Sequence, residues 1–180
     1  MKRASWAVVV ATMLAMLQLP TAHAGGVDPT YYLALGDSLS VGFQPNTGPS
    51  LHGYTDVLAR RVRKSTIADL ELENVGCPGE TSRSLLSGER SPCSYPAGSQ
   101  MQTAVDFLTA HPGQVAFVTI DIGVNDLLNR CLGSDLLIPR SCAREVAPKI
   151  GDRLDQIVDA LSSAAGPGVP IVGMLSLIHI

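Results

Sequence analysis

Residues 115–122, Val-Ala-Phe-Val-Thr-Ile-Asp-Ile, constrain this chain more than any other stretch. A dense run of β-branched and apolar residues is expected of a strand buried on both faces, and such strands belong to parallel sheets covered by helices. Further strand-like runs stand at 31–37, 69–76 and 169–178. Helix-like stretches separate them. Residues 51–65 carry Leu51, Tyr54, Val57, Leu58, Arg61 and Val62 near helical spacing. Residues 99–110 read as a second helix ending at His111-Pro112-Gly113, and 142–164 as a long third helix stopped by Gly166-Pro167-Gly168. There is no internal repeat and no low-complexity linker. The β-α-β-α order predicts an α/β fold with a parallel sheet between helices. Right-handed crossovers put the C-terminal end of every strand on one edge, where ligands of open α/β sheets bind.

The first 24 residues are expected to lie outside this fold. Lys2 and Arg3 are followed by an apolar stretch from Ala7 to Leu19, too short to cross a bilayer comfortably, and then by Ala22-His23-Ala24. This is the pattern of a secretory signal peptide cleaved after Ala24, leaving one domain over 25–180 and no stable membrane insertion. Residues 25–180 carry eleven basic and sixteen acidic side chains, net −5, so no broad positive field invites nucleic acid. The one basic cluster, Arg60-Arg61-Val62-Arg63-Lys64, ends a helical pattern, where cations suit the helix dipole. Four cysteines, Cys77, Cys93, Cys131 and Cys142, all fall in this exported part. Disulfides are expected, and of the three pairings the sequential one, Cys77–Cys93 and Cys131–Cys142, closes two short loops. The cysteine spacings match no common zinc pattern.

Three short blocks follow successive strands: Gly36-Asp37-Ser38-Leu39, Asn74-Val75-Gly76-Cys77-Pro78-Gly79-Glu80-Thr81-Ser82, and Gly123-Val124-Asn125-Asp126. A serine in a glycine-flanked strand-to-helix turn is a candidate nucleophile for an ester carbonyl. The oxygen that becomes an anion needs donors already aimed at it, and the backbone N–H groups of Ser38 and Gly79 and the side-chain amide of Asn125 are the candidates. Each block alone has a plainer explanation as a turn or a helix cap. Three in order, each just past a strand, point to an acyl-transfer site.

In these blocks the chain resembles the SGNH hydrolases, the GDSL esterase and lipase family, over roughly residues 31–175. The resemblance makes Ser38 the nucleophile and Gly79 and Asn125 the oxyanion donors. Gly79 is preferred over Gly76 because Gly-x-Thr-Ser matches the family at that point. It implies a flavodoxin-like three-layer α/β/α fold, ester hydrolysis with neither metal nor cofactor, a small-molecule or lipid ester as substrate, and a secreted bacterial lipase-like branch. The family's fourth block, an Asp-x-x-His that supplies the base, has no counterpart in residues 1–180. His111 should stand on the opposite sheet edge, His52 should open the helix after the serine loop and face solvent, and His179 has Ser176 where the Asp belongs. The sheet is therefore expected to be incomplete at the C-terminus, the chain being the N-terminal part of a longer hydrolase with little activity of its own. The competing reading is an exported, non-catalytic α/β binding module. A phosphate or nucleotide binder is disfavoured by the acidic charge and the lack of any Gly-x-Gly-x-x-Gly or Walker pattern.

The leader can be checked directly. Secreted protein should start at Gly25 on N-terminal sequencing, and a start at Met1 or well past Gly26 contradicts cleavage after Ala24.

Overall fold

The computed structural model describes residues 30–174. The leader read at 1–24, His179 and the last part of the 169–178 run lie outside the described residues. Four strands are present among them, β1 (Tyr31–Gly36), β2 (Glu71–Asn74), β3 (Val115–Asp121) and β4 (Ile171–Gly173). Five helices accompany them, α1 (Tyr54–Ser65), α2 (Ser82–Ser87), α3 (Gln100–Ala110), α4 (Val124–Cys131) and α5 (Arg140–Ala165). The sheet is parallel throughout, in the order β2-β1-β3-β4.

β1 shows why the sheet needs cover on both faces. Its side chains alternate: Leu33 and Leu35 join Val118, Ile120, Met101, Leu108, Ile157 and Leu161 on the face covered by α3 and α5. Tyr32 and Ala34 pack with Ala59, Leu58 and Val62 of α1 on the other. With period-two alternation, a strand lined by apolar residues on both faces has no face left for water. The result is the α/β/α layering expected from the order of elements.

The chain leaves β1 for β2 on one side and then crosses to β3 on the other. β1 and β3 are therefore neighbours whose following loops diverge, which is a topological switch point. Their pairing runs to the last residues, Gly36 opposite Asp121. Ser38 and Asn125 follow these two strands.

Several boundaries differ from the sequence expectation. α1 starts at Tyr54 rather than 51, with Gly53 extended at the N-cap (φ −63°, ψ 163°). The Gly53 N–H is capped by the Asp56 carboxylate at 3.2 Å. Gly53 packs so closely on Gly42 that a Cβ there would lie 2.8 Å from the Gly42 nitrogen. Leu51 consequently lies outside the helix and is 76 % exposed. The short helices α2 and α4 have no long periodic pattern. Thr81 caps α2, accepting from the Ser84 N–H at 3.1 Å. Both disulfides pair sequentially, Cys77–Cys93 and Cys131–Cys142.

Gly36 has φ +142°, and a Cβ there would run into the Asp121 side chain and its backbone oxygen. Gly36→Ala should destabilise by about 3 kcal/mol or more. Gly113→Ala, at φ +72° with open space around it, should cost only about 1 kcal/mol. Urea unfolding of the two variants measures the contrast, and equal losses would show that the Asp121 contact is unimportant.

Candidate active site

The serine turn is built on the last peptide of β1. The buried Gln100 side chain, at the start of α3, takes the place of a neighbouring strand: its Oε1 accepts the Gly36 N–H at 2.8 Å and its Nε2 donates to the Gly36 carbonyl at 3.0 Å. The Asp37 N–H donates to the Asp121 carbonyl at 3.1 Å. The buried Asp37 carboxylate then folds back over the turn, accepting the Leu39 N–H at 3.0 Å. The Ser40 hydroxyl donates to the Asp37 carbonyl at 2.8 Å, and the Phe43 N–H to the Ser38 carbonyl at 2.9 Å. Ser38 is left half-buried at the mouth of the turn. Its hydroxyl stands 3.5 Å from Asp37 Oδ1, too far for a strong bond.

The second block is tied to the first. The Cys77 N–H donates to the Gly36 carbonyl at 3.1 Å, and the Glu80 N–H to the Cys77 carbonyl at 3.1 Å. Between them Gly79 takes φ +85°, a conformation that favours glycine. The Asn125 amide nitrogen bridges the blocks, donating to the Glu80 carbonyl at 2.8 Å and reaching Asp37 Oδ2 at 3.3 Å. The structure thus joins the Ser38 turn, the Gly79 loop and Asn125 through short polar contacts. Among the described residues neither the Ser38 N–H nor the Gly79 N–H donates a hydrogen bond. The alternative glycine is committed elsewhere, since the Gly76 N–H donates to Asn74 Oδ1 at 3.1 Å.

Asp126, next along α4, holds this arrangement from below. Its carboxylate accepts the Ser82 N–H and hydroxyl, both at 2.7 Å, and meets Arg153 of α5 at 3.2 Å. Ser82, Arg153 and Gln100 were not legible as site residues, because each acts through contacts 27 to 71 positions away. Asp37 stood in plain view inside its block. The only available clue was that an acidic residue beside a buried strand end must find donors.

The histidines fall as follows. His111 lies beside Tyr31 at the start of β1, its ring 4.6 Å from the tyrosine ring and its Nδ1 2.8 Å from the Phe107 carbonyl oxygen, at the edge away from Ser38. His52 is exposed, precedes α1 rather than opening it, and lines the same cleft as Ser38. That cleft measures about 330 Å³ and is also lined by Leu39, Phe43, Tyr54 and Asp121. Among the described residues no group of three or more His, Cys, Asp or Glu side chains is placed to hold a metal ion.

Asp121 is the electrostatic anomaly of the site. It is buried, with Oδ1 accepting the Tyr54 hydroxyl at 2.7 Å and Oδ2 accepting the Asp37 N–H at 3.3 Å. Burial raises its carboxyl from the ordinary carboxylate range to about 8; the Tyr54 bond opposes that rise and the Asp37 charge adds to it. Burial, chiefly, also pushes the Tyr54 hydroxyl up, and lifts Tyr32 to about 12. Near neutral pH Asp121 is therefore largely protonated.

The α/β/α sheet with a glycine-flanked serine at its switch point is placed in a family by comparison with known proteins. The chain belongs to the GDSL-like lipase/acylhydrolase family, whose profile matches residues 34–179. Among solved structures it is similar to the lipase Lip_vut3 from a goat rumen metagenome, with 16% identity and a TM-score of 0.56 over 80% of this chain and 62% of that one. It is also similar to TesA, with 18% identity and a TM-score of 0.50 over 80% of this chain and 59% of that one. AlinE4, an SGNH-hydrolase family esterase, shares 22% identity over 81% of this chain, with a TM-score of 0.49. The chain spans 58% of the length of AlinE4. No curated protein sequence matches it.

The raised carboxyl has a measurable consequence. Between about pH 4 and pH 8 the folded protein keeps a proton on Asp121 that the unfolded chain has released. The Asp121 contribution is therefore most favourable at low pH and is lost as pH rises through about 8. Asp121→Asn, which mimics the protonated acid, should gain about 5 °C in Tm relative to wild type on going from pH 5 to pH 9. Thermal melts at the two pH values check it, and a pH-independent difference would place the titration elsewhere.

Proposed function

We propose that this chain carries the nucleophile and the oxyanion donors of a secreted serine ester hydrolase. Ser38 attacks the ester carbonyl, and the oxygen that gains charge is received by the N–H groups of Ser38 and Gly79 and by the Asn125 amide, whose long 3.3 Å contact with Asp37 is given up to it. The observation that carries this reading is the pair of N–H groups, Ser38 and Gly79, that meet no acceptor among the described residues, on loops held together by Asn125. Donors fixed in advance cost nothing to reorganise when charge develops. Asp37 acts as a positioning residue, since its carboxylate bonds both the turn after Ser38 and the Asn125 amide. The apolar side chains of Leu39 and Phe43, 44 % and 42 % exposed, suit the acyl part of a small-molecule or lipid ester.

Residues 1–180 contain no Asp-x-x-His block, so this reading needs such a block to supply the general base and expects little turnover without it. A serine without a base is a weak nucleophile, and loss of the base of a triad costs on the order of 10⁶ in turnover. The second reading, a binding module that retains the cleft, is favoured by one observation: Asp37 is the one side chain within hydrogen-bonding reach of the Ser38 hydroxyl among the described residues.

p-Nitrophenyl ester hydrolysis and fluorophosphonate labelling decide between them, measured on this chain and on a version extended through an Asp-x-x-His block. The extended protein should hydrolyse and label, Ser38→Ala should abolish both, and Asn125→Ala should lower kcat about 10²- to 10³-fold. Equal Ser38-dependent rates in the short chain that vanish in His52→Ala would make His52 the base. No hydrolysis in either form would favour the binding module.

A further inference from the structure

Beyond the site stands a feature that the ester chemistry does not use. α4 leaves the active edge at Asn125 and runs antiparallel to the first half of α5. Asp126 meets Arg153 at 3.2 Å, Arg130 meets Glu145 at 3.9 Å, and Cys131 is bonded to Cys142. Gly123, at the end of the sheet, packs against Ile150, so residues 140–149 of α5 continue about 15 Å past that level. The connecting tip is folded on itself. The Gly133 N–H donates to the Leu137 carbonyl at 3.0 Å, the Leu136 N–H to the Gly133 carbonyl at 3.0 Å, and the Leu137 N–H to Asp135 Oδ1 at 3.1 Å. This closed turn faces its leucines outward: Leu132, Leu136 and Leu137 are 44 %, 76 % and 54 % exposed.

The charge around the tip is the reverse of the rest. Residues 130–149 hold four basic side chains (Arg130, Arg140, Arg144, Lys149) and two acidic ones (Asp135, Glu145), net +2. Residues 25–129 and 150–180 together hold seven basic and fourteen acidic, net −7. Arg140 and Arg144 are exposed and form no ion pair among the described residues.

We propose that this disulfide-stapled hairpin docks the protein on an anionic phospholipid surface, with the Leu136–Leu137 tip entering the acyl boundary and the arginine collar meeting the headgroups. Apolar tip and cationic collar are the two terms that drive interfacial binding. Three tip N–H groups are already bonded within the tip, which limits the cost of moving the backbone away from water. The net −7 of the remainder holds the rest of the molecule off the same surface, so one end is selected.

The test is flotation with vesicles, using the chain from Gly25 onward, which retains every described residue and removes the apolar leader. Vesicles of phosphatidylglycerol in phosphatidylcholine should bind it at low salt, and pure phosphatidylcholine vesicles much less. Arg140→Gln with Arg144→Gln should weaken binding about 25-fold. Leu136→Ser with Leu137→Ser should weaken it at least about tenfold. Circular dichroism and an intact Cys131–Cys142 bond confirm folding, and either pair of substitutions tests the proposal if the other misfolds. Absence of binding to the anionic vesicles, equal binding to both compositions, or binding unchanged in the folded variants overturns it. So does a dimer in sedimentation that depends on Leu136 and Leu137, because a second copy would then cover the tip. The readout is binding alone, so its failure leaves the ester reading untouched.

Discussion

The pairing of β1 with β3, carried to the register of Gly36 with Asp121, sets where every group at the active edge can stand. A parallel ladder fixes the height at which both strands stop. The Asp37 N–H meets the Asp121 carbonyl as the final rung, and the chain turns immediately afterwards. Had Gly36 a side chain, the rung would fail, because the Asp121 carboxyl occupies that space. The serine turn and the helix α4 both inherit their positions from this one junction.

Three buried carboxyl groups sit around it, each accommodated differently. Asp37 collects a backbone N–H from Leu39 and the Asn125 amide. Asp126 has an arginine and both donors of Ser82. Asp121 has a tyrosine hydroxyl and one backbone N–H, with Asp37 as a charged neighbour, and it holds its proton instead. Burying a carboxylate is costly unless donors or a cation compensate, and Asp121, which has no cation beside it among the described residues, is pushed toward its protonated form. Glu80 is a fourth case: Oε2 accepts the Ser91 hydroxyl at 2.8 Å, while Oε1 has no partner among the described residues.

The cysteine bridges extend the same logic outward. Cys77–Cys93 closes the loop that carries Gly79, and Cys131–Cys142 closes the tip between α4 and α5. A crosslink restricts the unfolded chain more than it adds contacts to the folded one. The two loops differ in packing: the first sends Leu85 into the core, whereas residues 132–141 of the second include no buried residue.

Periodicity and punctuation were enough to read the layers. The Val115–Asp121 strand, the Ser99-capped α3, the long α5 and the sequential cysteine pairs follow from local chemistry, and their order alone yields a parallel sheet with its loops on one edge. Ser38, Gly79 and Asn125 stand out as candidates in the sequence because each lies within a few residues of a strand end. The start of α1 was misplaced because Gly53 contacts Gly42, a tertiary contact that no helical spacing records. The raised carboxyl of Asp121, the bridge of Asn125 to Glu80 and Asp37, and the clamp of Gln100 on Gly36 were likewise invisible. Sequence determined which elements form and which chemical groups stand at their ends, since both depend on neighbours along the chain. Tertiary structure alone decided which donors are taken up by the described residues and which acid is pushed toward its protonated form, because burial and hydrogen-bond partners come from residues tens of positions apart.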